Sequence, residues 1–148
     1  DPEVARHMPY NPRTEEQTRE MVRWMRQGVN DQPPHYDFAI ILKAEDRLIG
    51  WCGLFIRYDE VRQGEIGFAL NRNHWGQGFA TEAARAVLHY GFTKLNLHRI
   101  FATSRPKNVG SIHVLEKLGM RREGHLIQHR WMKGAWHDSF LYALLDNE

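Results

Sequence analysis

The spacing of apolar and polar positions divides the first part of the chain into two helices and two strands. Asp1, Pro2 and Glu3 predict a helix start, because they supply a cap, a proline at the first position and a first-turn acid. Thr14 and Gln17 predict a capping box before a second helix. The apolar face of that helix has helical spacing and comprises Met21, Val22, Trp24, Met25 and Val29. The β-rich runs 36–43 and 48–58 then predict a hairpin.

The middle of the chain contains a glycine turn between a strand and a long helix. Residues 65–70 have the composition of a strand, and a helical pattern continues from the turn to about Lys94. The inner face of this helix comprises Ala80, Ala84, Val87, Leu88 and Gly91. Gly76 and Gly78 therefore lie at a strand-to-helix turn, where glycine lets the backbone approach a ligand closely.

The last third predicts one strand, one helix and a final pair of strands. Residues 99–103 form a short apolar strand, and the next helix is bounded by Asn108 as its cap and Gly119 after its end. Runs 123–132 and 139–145 are the last two strands. The order ααβββαβαββ predicts an α+β fold with a mixed, mostly antiparallel sheet flanked by helices. We expect residues 1–148 to form a single domain.

Composition and charge narrow the class of function. The chain is 42% hydrophobic and 26% charged, which is ordinary for a globular protein. No apolar run approaches the roughly 20 residues that cross a bilayer, and a net charge of +2 is too small to indicate nucleic-acid binding. One cysteine, Cys52, excludes an internal disulfide and is typical of a reducing compartment, so we expect a cytoplasmic protein. No sequence motif indicates a metal site or a P-loop.

The glycine turn is the strongest chemical signal in the sequence. First-turn N–H groups have no helical partner, and together with the helix dipole they favour a bound phosphate. The turn therefore predicts a pyrophosphate site, unless the glycines merely turn the chain. A dinucleotide-binding oxidoreductase, whose glycine turn has the pattern Gly-x-Gly-x-x-Gly, is disfavoured for two reasons. The third glycine position holds Thr81, and no acid stands about 20 residues further on, where His98 and Arg99 lie.

Three motifs in order resemble a known family. They are Trp75-Gly76-Gln77-Gly78-Phe79-Ala80, Asn108-x-x-Ser111, and the Gly-Ala-Trp-His-Asp segment 134–138. With these motifs, nearly the whole chain is similar to the GCN5-related N-acetyltransferases (GNAT). It resembles most closely the RimJ/RimL-type branch, which acetylates protein N-termini and related amines. The resemblance implies a GNAT-like acyl-CoA N-acyltransferase fold that uses acetyl-CoA and no metal.

The chain departs from the family pattern at two places. Trp75 replaces the usual glutamine or arginine of the loop, but the N–H groups that bind pyrophosphate come from later residues. The family fold also begins with a strand before the first helix, and no segment here predicts one. We therefore expect an N-terminally incomplete domain, with extra N-terminal residues in the native protein. Otherwise the strand beginning near Tyr36 has an unpaired edge.

The resemblance also implies which residues hold the cofactor. The loop amides that would bind the pyrophosphate belong to Gly76, Gln77, Gly78, Phe79, Ala80 and Thr81. The strand end Phe68, Ala69 and Leu70 would diverge from the next strand and offer free backbone groups to the pantetheine arm. Within it, the Phe68 amide would polarise the thioester carbonyl. Asn108 would hydrogen-bond to the pantetheine, or would only cap its helix.

Two residues are candidates for the acid–base chemistry. The resemblance implies that Glu65 acts as a base, commonly through water, although a solvated strand-end carboxylate is an equally good interpretation. Ser111 lies one turn after Asn108 and would protonate the departing thiolate, unless it is a simple surface serine. Many relatives use a tyrosine four residues after that serine, where this chain has Leu115.

Three further side chains are alternatives for this chemistry. His74 and His98 are candidate bases, and each is more often structural. We expect Cys52 to pack in the second strand, since the sequence places no base for an acetyl-cysteine route.

The expected acceptor is a protein or peptide N-terminal α-amine, attacked directly in a ternary complex. The open alternatives are a small amine such as a polyamine or an antibiotic, a non-catalytic acyl-CoA sensor, and a ribosome-associated binding module. We expect no nucleic-acid or membrane partner, and a homodimer is left open.

Overall fold

The computed structural model of the protein describes residues 1–58 and 61–148, and within them six strands form one sheet flanked by helices. The helices are α1 (Pro2–Ala5), α2 (Glu15–Gln27), α3 (Phe79–Thr93) and α4 (Val109–Lys117), with short 3-10 turns at Gly28–Asn30 and Arg72–His74. The strands are β1 (His35–Leu42), β2 (Arg47–Tyr58), β3 (Gln63–Leu70), β4 (Arg99–Ser104), β5 (Arg121–Met132) and β6 (Ala135–Leu145). The predicted α+β order is confirmed.

The strand order β1-β2-β3-β4-β6-β5 creates a cleft in the middle of the sheet. All neighbouring pairs are antiparallel except β3 and β4, which run parallel. Their pairing extends only from Gln63 to Glu65 on β3, opposite Arg99 to Phe101 on β4. Beyond Glu65, β3 keeps its pairing with β2 but has no partner on β4. The predicted divergence of the strand end at 68–70 is therefore present.

The core lies on the face of the sheet that α3 and α4 cover. Leu54, Ile100 and Leu115 are 0%, 0% and 1% exposed, and burial of each such side chain contributes about 1.5–3 kcal/mol. Gly91 lets α3 approach closely, since a Cβ there would lie 2.6 Å from Ile100 Cδ1. This packing holds the C-terminal part of α3 against β4 and β2.

The opposite face of the sheet carries aromatic side chains and α2. The predicted capping box is present, because Gln17 N donates to Thr14 Oγ1 at 3.2 Å and Thr14 N donates to Gln17 Oε1 at 3.0 Å. Trp24 stacks on His35 with ring centroids 4.0 Å apart. No residue of α2 is buried, so this helix covers the sheet only along one stripe.

The edges of the sheet are β1 and β5. Among the described residues, β1 pairs with β2 alone. Among the described helices, none combines the length and the apolar character needed to span a membrane.

Candidate active site

A cavity of about 540 Å³ lies where β3 ends and α3 begins. Its walls come from the β3 end, the glycine loop, the start of α4 and the N-terminal segment around α1. Of the predicted cofactor-binding residues, the cavity brings together Phe68, Ala69, Leu70, Gly76, Gly78, Phe79, Ala80, Thr81 and Asn108. Gln77 is not among the lining residues, and its side-chain amide donates to the Asn73 carbonyl at 3.2 Å.

The glycine loop forms the strand-to-helix turn that the sequence predicts. Gly76 and Gly78 have φ angles of +73° and +88°, and Gly78 is the N-cap of α3. The first N–H groups of an α-helix have no partner within the helix, and Gly78 has no side chain to cap those of α3. No atom lies within 4 Å of a Cβ placed at either glycine, so open space faces the loop.

Trp75 ties this loop to the end of β3. Its indole Nε1 donates a hydrogen bond of 2.8 Å to the Leu70 carbonyl. The tryptophan stands where the family has glutamine or arginine. Its side chain therefore anchors the loop to β3 and does not involve the backbone N–H groups that face the cavity.

The N–H groups of β3 alternate between its two neighbours. Asn71 N, directly after the strand, donates to the Ile49 carbonyl beside β2 at 2.7 Å. Since N–H directions alternate along a strand, those of Leu70 and Phe68 point away from β2 and into the cleft. The cleft thus has backbone donors along one wall, where an extended ligand can pair as an added strand.

Asn108 and Ser111 lie together at the start of α4. The Asn108 carboxamide Oδ1 accepts from the Ser111 backbone N–H at 3.3 Å, so the helix-cap interpretation is correct. Both residues also line the cavity, and the Nδ2 donor of Asn108 is not used by the cap. Basic residues that the sequence interpretation did not single out line the same wall, namely Lys107, His113 and Lys117.

Glu65 lies on the other face of the sheet from the core residue Ile66, and it does not line the cavity. One carboxylate oxygen accepts from Arg57 Nη2 at 2.8 Å. The other lies 3.2 Å from Arg130 Nη2 and accepts from Thr103 Oγ1 at 3.4 Å. The side chain is only 15% exposed. Both oxygens are therefore occupied, and the structure separates Glu65 from Ser111.

The three alternative candidates for the acid–base chemistry lie in different environments. His74 lines the cavity beside Phe79, with ring centroids 6.2 Å apart. His98 is outside the cavity lining and pairs through Nδ1 with Asp146 at 3.0 Å. Cys52 is fully buried, and burial, followed by the charge of Asp37, raises the pKa of its thiol to about 12. Cys52 therefore stays protonated at neutral pH and does not supply a thiolate there.

The N-terminal segment lines the cavity, which the sequence interpretation missed. The residues involved are Glu3, Val4, Arg6, His7 and Met8. Lys133 Nζ donates to the Ala5 carbonyl at 2.7 Å, and Arg105 Nη1 donates to the Arg6 carbonyl at 3.2 Å. No local signal indicates this placement, because the contacts join residues about a hundred positions apart.

A second, more open groove of about 790 Å³ lies on the α2 face. Its walls are mainly aromatic and apolar, and they include Tyr10, Met21, Trp24, Met25, Trp51 and Phe55. Among the described residues that line it, Glu20 is the one carboxylate. Trp51 and Phe55 lie on β2 opposite Ala69 and Glu65 of β3, so the groove adjoins the strand that borders the cleft.

Comparison with known proteins agrees with this geometry. Residues 1–121 match the family model of the acetyltransferase (GNAT) domain. The uncharacterized N-acetyltransferase p20 of Bacillus licheniformis is 41% identical over 152 residues, which cover 100% of this chain and 83% of that protein. A spermidine N(1)-acetyltransferase of Vibrio cholerae is 33% identical over 100 residues, covering 66% of this chain and 57% of that protein.

A solved structure is similar over the full length. The crystal structure of a GNAT-family acetyltransferase from Bacillus anthracis superposes with a TM-score of 0.87 at 36% identity, covering 100% of this chain and 84% of that one. The diverging strands, the glycine loop and the sequence matches lead to one conclusion: the chain belongs to the GNAT family of N-acetyltransferases.

Proposed function

We propose that the chain transfers the acetyl group of acetyl-CoA to a primary amine, which attacks the thioester directly in a ternary complex. The observation that carries the proposal is the cleft between β3 and β4. The N–H groups of Phe68 and Leu70 point into it, and the glycine loop lies at one end. A donor bound in the cavity and an acceptor bound in the aromatic groove would approach β3 from its two sides.

The residues of the cavity fit acetyl-CoA chemically. The first-turn N–H groups of α3 and the side chains of Lys107 and Lys117 suit an anionic pyrophosphate. Backbone groups of β3 and the free Nδ2 of Asn108 suit an arm built from amides. The Phe68 N–H would stabilise the negative charge that develops on the thioester oxygen during attack.

Ser111 is the proposed donor of the proton that the leaving thiolate takes up. Replacing Ser111 by alanine is expected to lower kcat about tenfold, because water replaces the hydroxyl less effectively. The affinity for acetyl-CoA should stay within about twofold of wild type, since the Asn108 cap uses the Ser111 backbone. Ser111→Thr is the matched control and should keep most of the rate. Steady-state kinetics and calorimetry check both variants, and an unchanged kcat in Ser111→Ala removes the role.

The proposed acceptor is a peptide N-terminal α-amine. An amine must be neutral to attack, and neutralising an α-amine at pH 7 costs about 1–1.4 kcal/mol, against roughly 4.6 kcal/mol for an ordinary lysine. The aromatic groove suits an uncharged side chain next to that amine, and the one carboxylate among its described lining residues, Glu20, is a poor match for several positive charges. The resemblance to the RimJ/RimL-type branch points the same way.

A polyamine is the second candidate acceptor. The similarity to a spermidine N(1)-acetyltransferase favours it, and the indole faces of Trp24 and Trp51 could bind an ammonium group through cation–π contacts.

Comparing kcat/KM for three acceptors distinguishes the α-amine from the polyamine as the preferred acceptor. We expect a peptide with a free N-terminus to react on the order of 100-fold faster than its N-blocked, lysine-containing counterpart, because of the difference in amine pKa. Spermidine is the third acceptor, and a higher value for it would establish the polyamine alternative. An N-blocked peptide that reacts as well as the free one contradicts the α-amine preference. Acetyl-CoA binding without turnover of any amine would indicate a sensor.

A further inference from the structure

Gly67 leaves a bare position on the face of β3 that carries the aromatic groove. Ile66 is 3% exposed and lies in the core, so the next position along the strand belongs to the opposite face. The cross-strand partner of Gly67 is Gly53 on β2, which stands between Trp51 and Phe55. Both of these aromatic residues line the groove. The groove therefore adjoins exposed backbone, with no side chain on it, at Gly67.

The rings of Trp51 and Phe55 stand edge to face above the two glycines, with centroids 6.5 Å apart and an interplanar angle of 89°. A Cβ at Gly53 would lie 2.8 Å from Trp51 Cζ3 and 3.0 Å from Phe55 Cε2, so that position has no room for a side chain. At Gly67 a Cβ would lie 3.7 Å from Trp51 Cη2 and 3.9 Å from Phe55 Cε2, which are ordinary contact distances. Gly67 is also only half-buried. A methyl group therefore fits beside the two rings, and a larger side chain would fill the space next to them.

The same position borders the proposed reaction centre. Gly67 directly precedes Phe68, whose N–H points into the cleft and is the proposed donor to the thioester oxygen. The pairing of β3 with β4 ends at Glu65, so in the described part of the chain no β4 residue is paired with Gly67. The way from the groove face of β3 into the cleft is therefore open at Gly67, between the aromatic rings and the Phe68 N–H.

We infer that Gly67 is a specificity-determining residue, and that the acceptor amine passes over it from the aromatic groove to the thioester. The inference rests on the proposed function and deepens it, because it names the class of acceptor as an amine on a carbon that carries a side chain. Such a carbon is wider than a CH₂ group and needs the room that a glycine leaves. The rings of Trp51 and Phe55 lie within contact distance of this position and would pack against the substituent.

The test measures kcat/KM for two peptides that differ only in their first residue, leucine or glycine. Both carry an α-amine with an ordinary pKa near 7.7–8.0, so they differ in the substituent on the amine-bearing carbon and hardly in the cost of neutralising the amine. In Gly67→Val we expect kcat/KM for the leucine peptide to fall about 10- to 100-fold, mainly through KM, because the valine methyl groups occupy the space of the substituent. The glycine peptide should stay within about threefold of wild type. Gly67→Ala should lie between the two proteins, since its Cβ only touches the rings.

The matched control is Gly124→Val, because Gly124 is also a half-buried strand glycine but lies on β5, outside the lining of both the cavity and the groove. It should keep the wild-type ratio of the two peptides. Gly67 does not have a positive φ, so its place in β3 accepts a β-branched residue. Calorimetry should give an affinity of Gly67→Val for acetyl-CoA within about twofold of wild type, because the new side chain leaves the N–H groups of β3 in place. Thermal unfolding establishes that each variant is folded.

The outcomes separate this inference from the proposed function. A wild-type protein that acetylates both peptides, and a Gly67→Val protein with the same ratio of the two, contradict the inference alone. An equal loss for both peptides also overturns it, because residue 67 would then act on the reaction centre and not on the size of the acceptor. Turnover of spermidine with neither peptide leaves the acetyltransferase activity in place and overturns the inference, since the amine-bearing carbons of spermidine have no substituent. If the wild-type protein acetylates no amine, the proposed function itself fails.

Discussion

Replacing Gly78 by glutamate is expected to abolish detectable binding of acetyl-CoA. Gly78 has φ of +88° and caps α3, a conformation that costs a residue with a side chain about 1–2 kcal/mol. The added carboxylate would also occupy the open space in front of the first-turn N–H groups, where the pyrophosphate is proposed to bind. Repulsion between the two anions and competition for those donors should weaken binding by at least 100-fold, or about 2.7 kcal/mol. Isothermal titration calorimetry measures this directly.

Two variants separate charge from backbone strain. Gly119→Glu has a comparable backbone cost, since φ of Gly119 is +82°, but Gly119 does not line the cavity, so its affinity should be near wild type. Gly78→Ala keeps the strain without the charge and should bind with intermediate affinity. Binding of acetyl-CoA by Gly78→Glu at wild-type strength would show that the pyrophosphate lies elsewhere.

Gly28→Ala is expected to lower the free energy of unfolding by roughly 2–4 kcal/mol. The backbone of Gly28 accepts alanine, because φ is −54° and ψ is −30°. The new Cβ, however, would overlap three ring atoms of His35. His35 is 7% exposed, stacks beneath Trp24 and pairs with Asp37 at 2.8 Å. Moving the ring would leave the carboxylate of Asp37, whose side chain is 5% exposed, without its partner.

Thermal denaturation checks this expectation in the absence of ligand. For a chain of this size the loss corresponds to a Tm lower by about 4–16 °C. Gly110→Ala in α4 is the matched control. No atom lies within 4 Å of its Cβ, so it should be neutral or up to about 1 kcal/mol more stable. A Gly28→Ala protein as stable as wild type would mean that the His35 ring can move aside without loss.

Local sequence signals predicted the elements and the glycine turn because their physical causes are local. The Thr14–Gln17 capping box and the Asn108 cap each join residues three positions apart. The αL conformation of Gly76 and Gly78 follows from the absence of a Cβ. These features depend on the chain's own neighbours, so a single sequence is sufficient to indicate them.

The remainder of the site depends on how distant segments pack. The resemblance implies that Glu65 acts as a base near the glycine loop. In the structure its partners are Arg57, Thr103 and Arg130, which lie 8, 38 and 65 positions away in the sequence. The spacing of Glu65 within its own strand contains no information on Arg130. The same holds for the segment after α1, since only its contacts with Arg105 and Lys133 bring His7 to the cavity. The β5–β6 hairpin also extends further than predicted, to a turn where Lys133 and Gly134 both have positive φ.

The short parallel pairing of β3 with β4 has a mechanical consequence. It divides the sheet into two halves, β1-β2-β3 and β4-β6-β5, each held together internally by long antiparallel ladders. The seam between the halves consists of three residue pairs, the contacts of Glu65 with Thr103 on β4 and Arg130 on β5, and helix α3 above them. A cosubstrate bound along this seam would contact both halves and hold them together, so its binding would make the sheet more rigid.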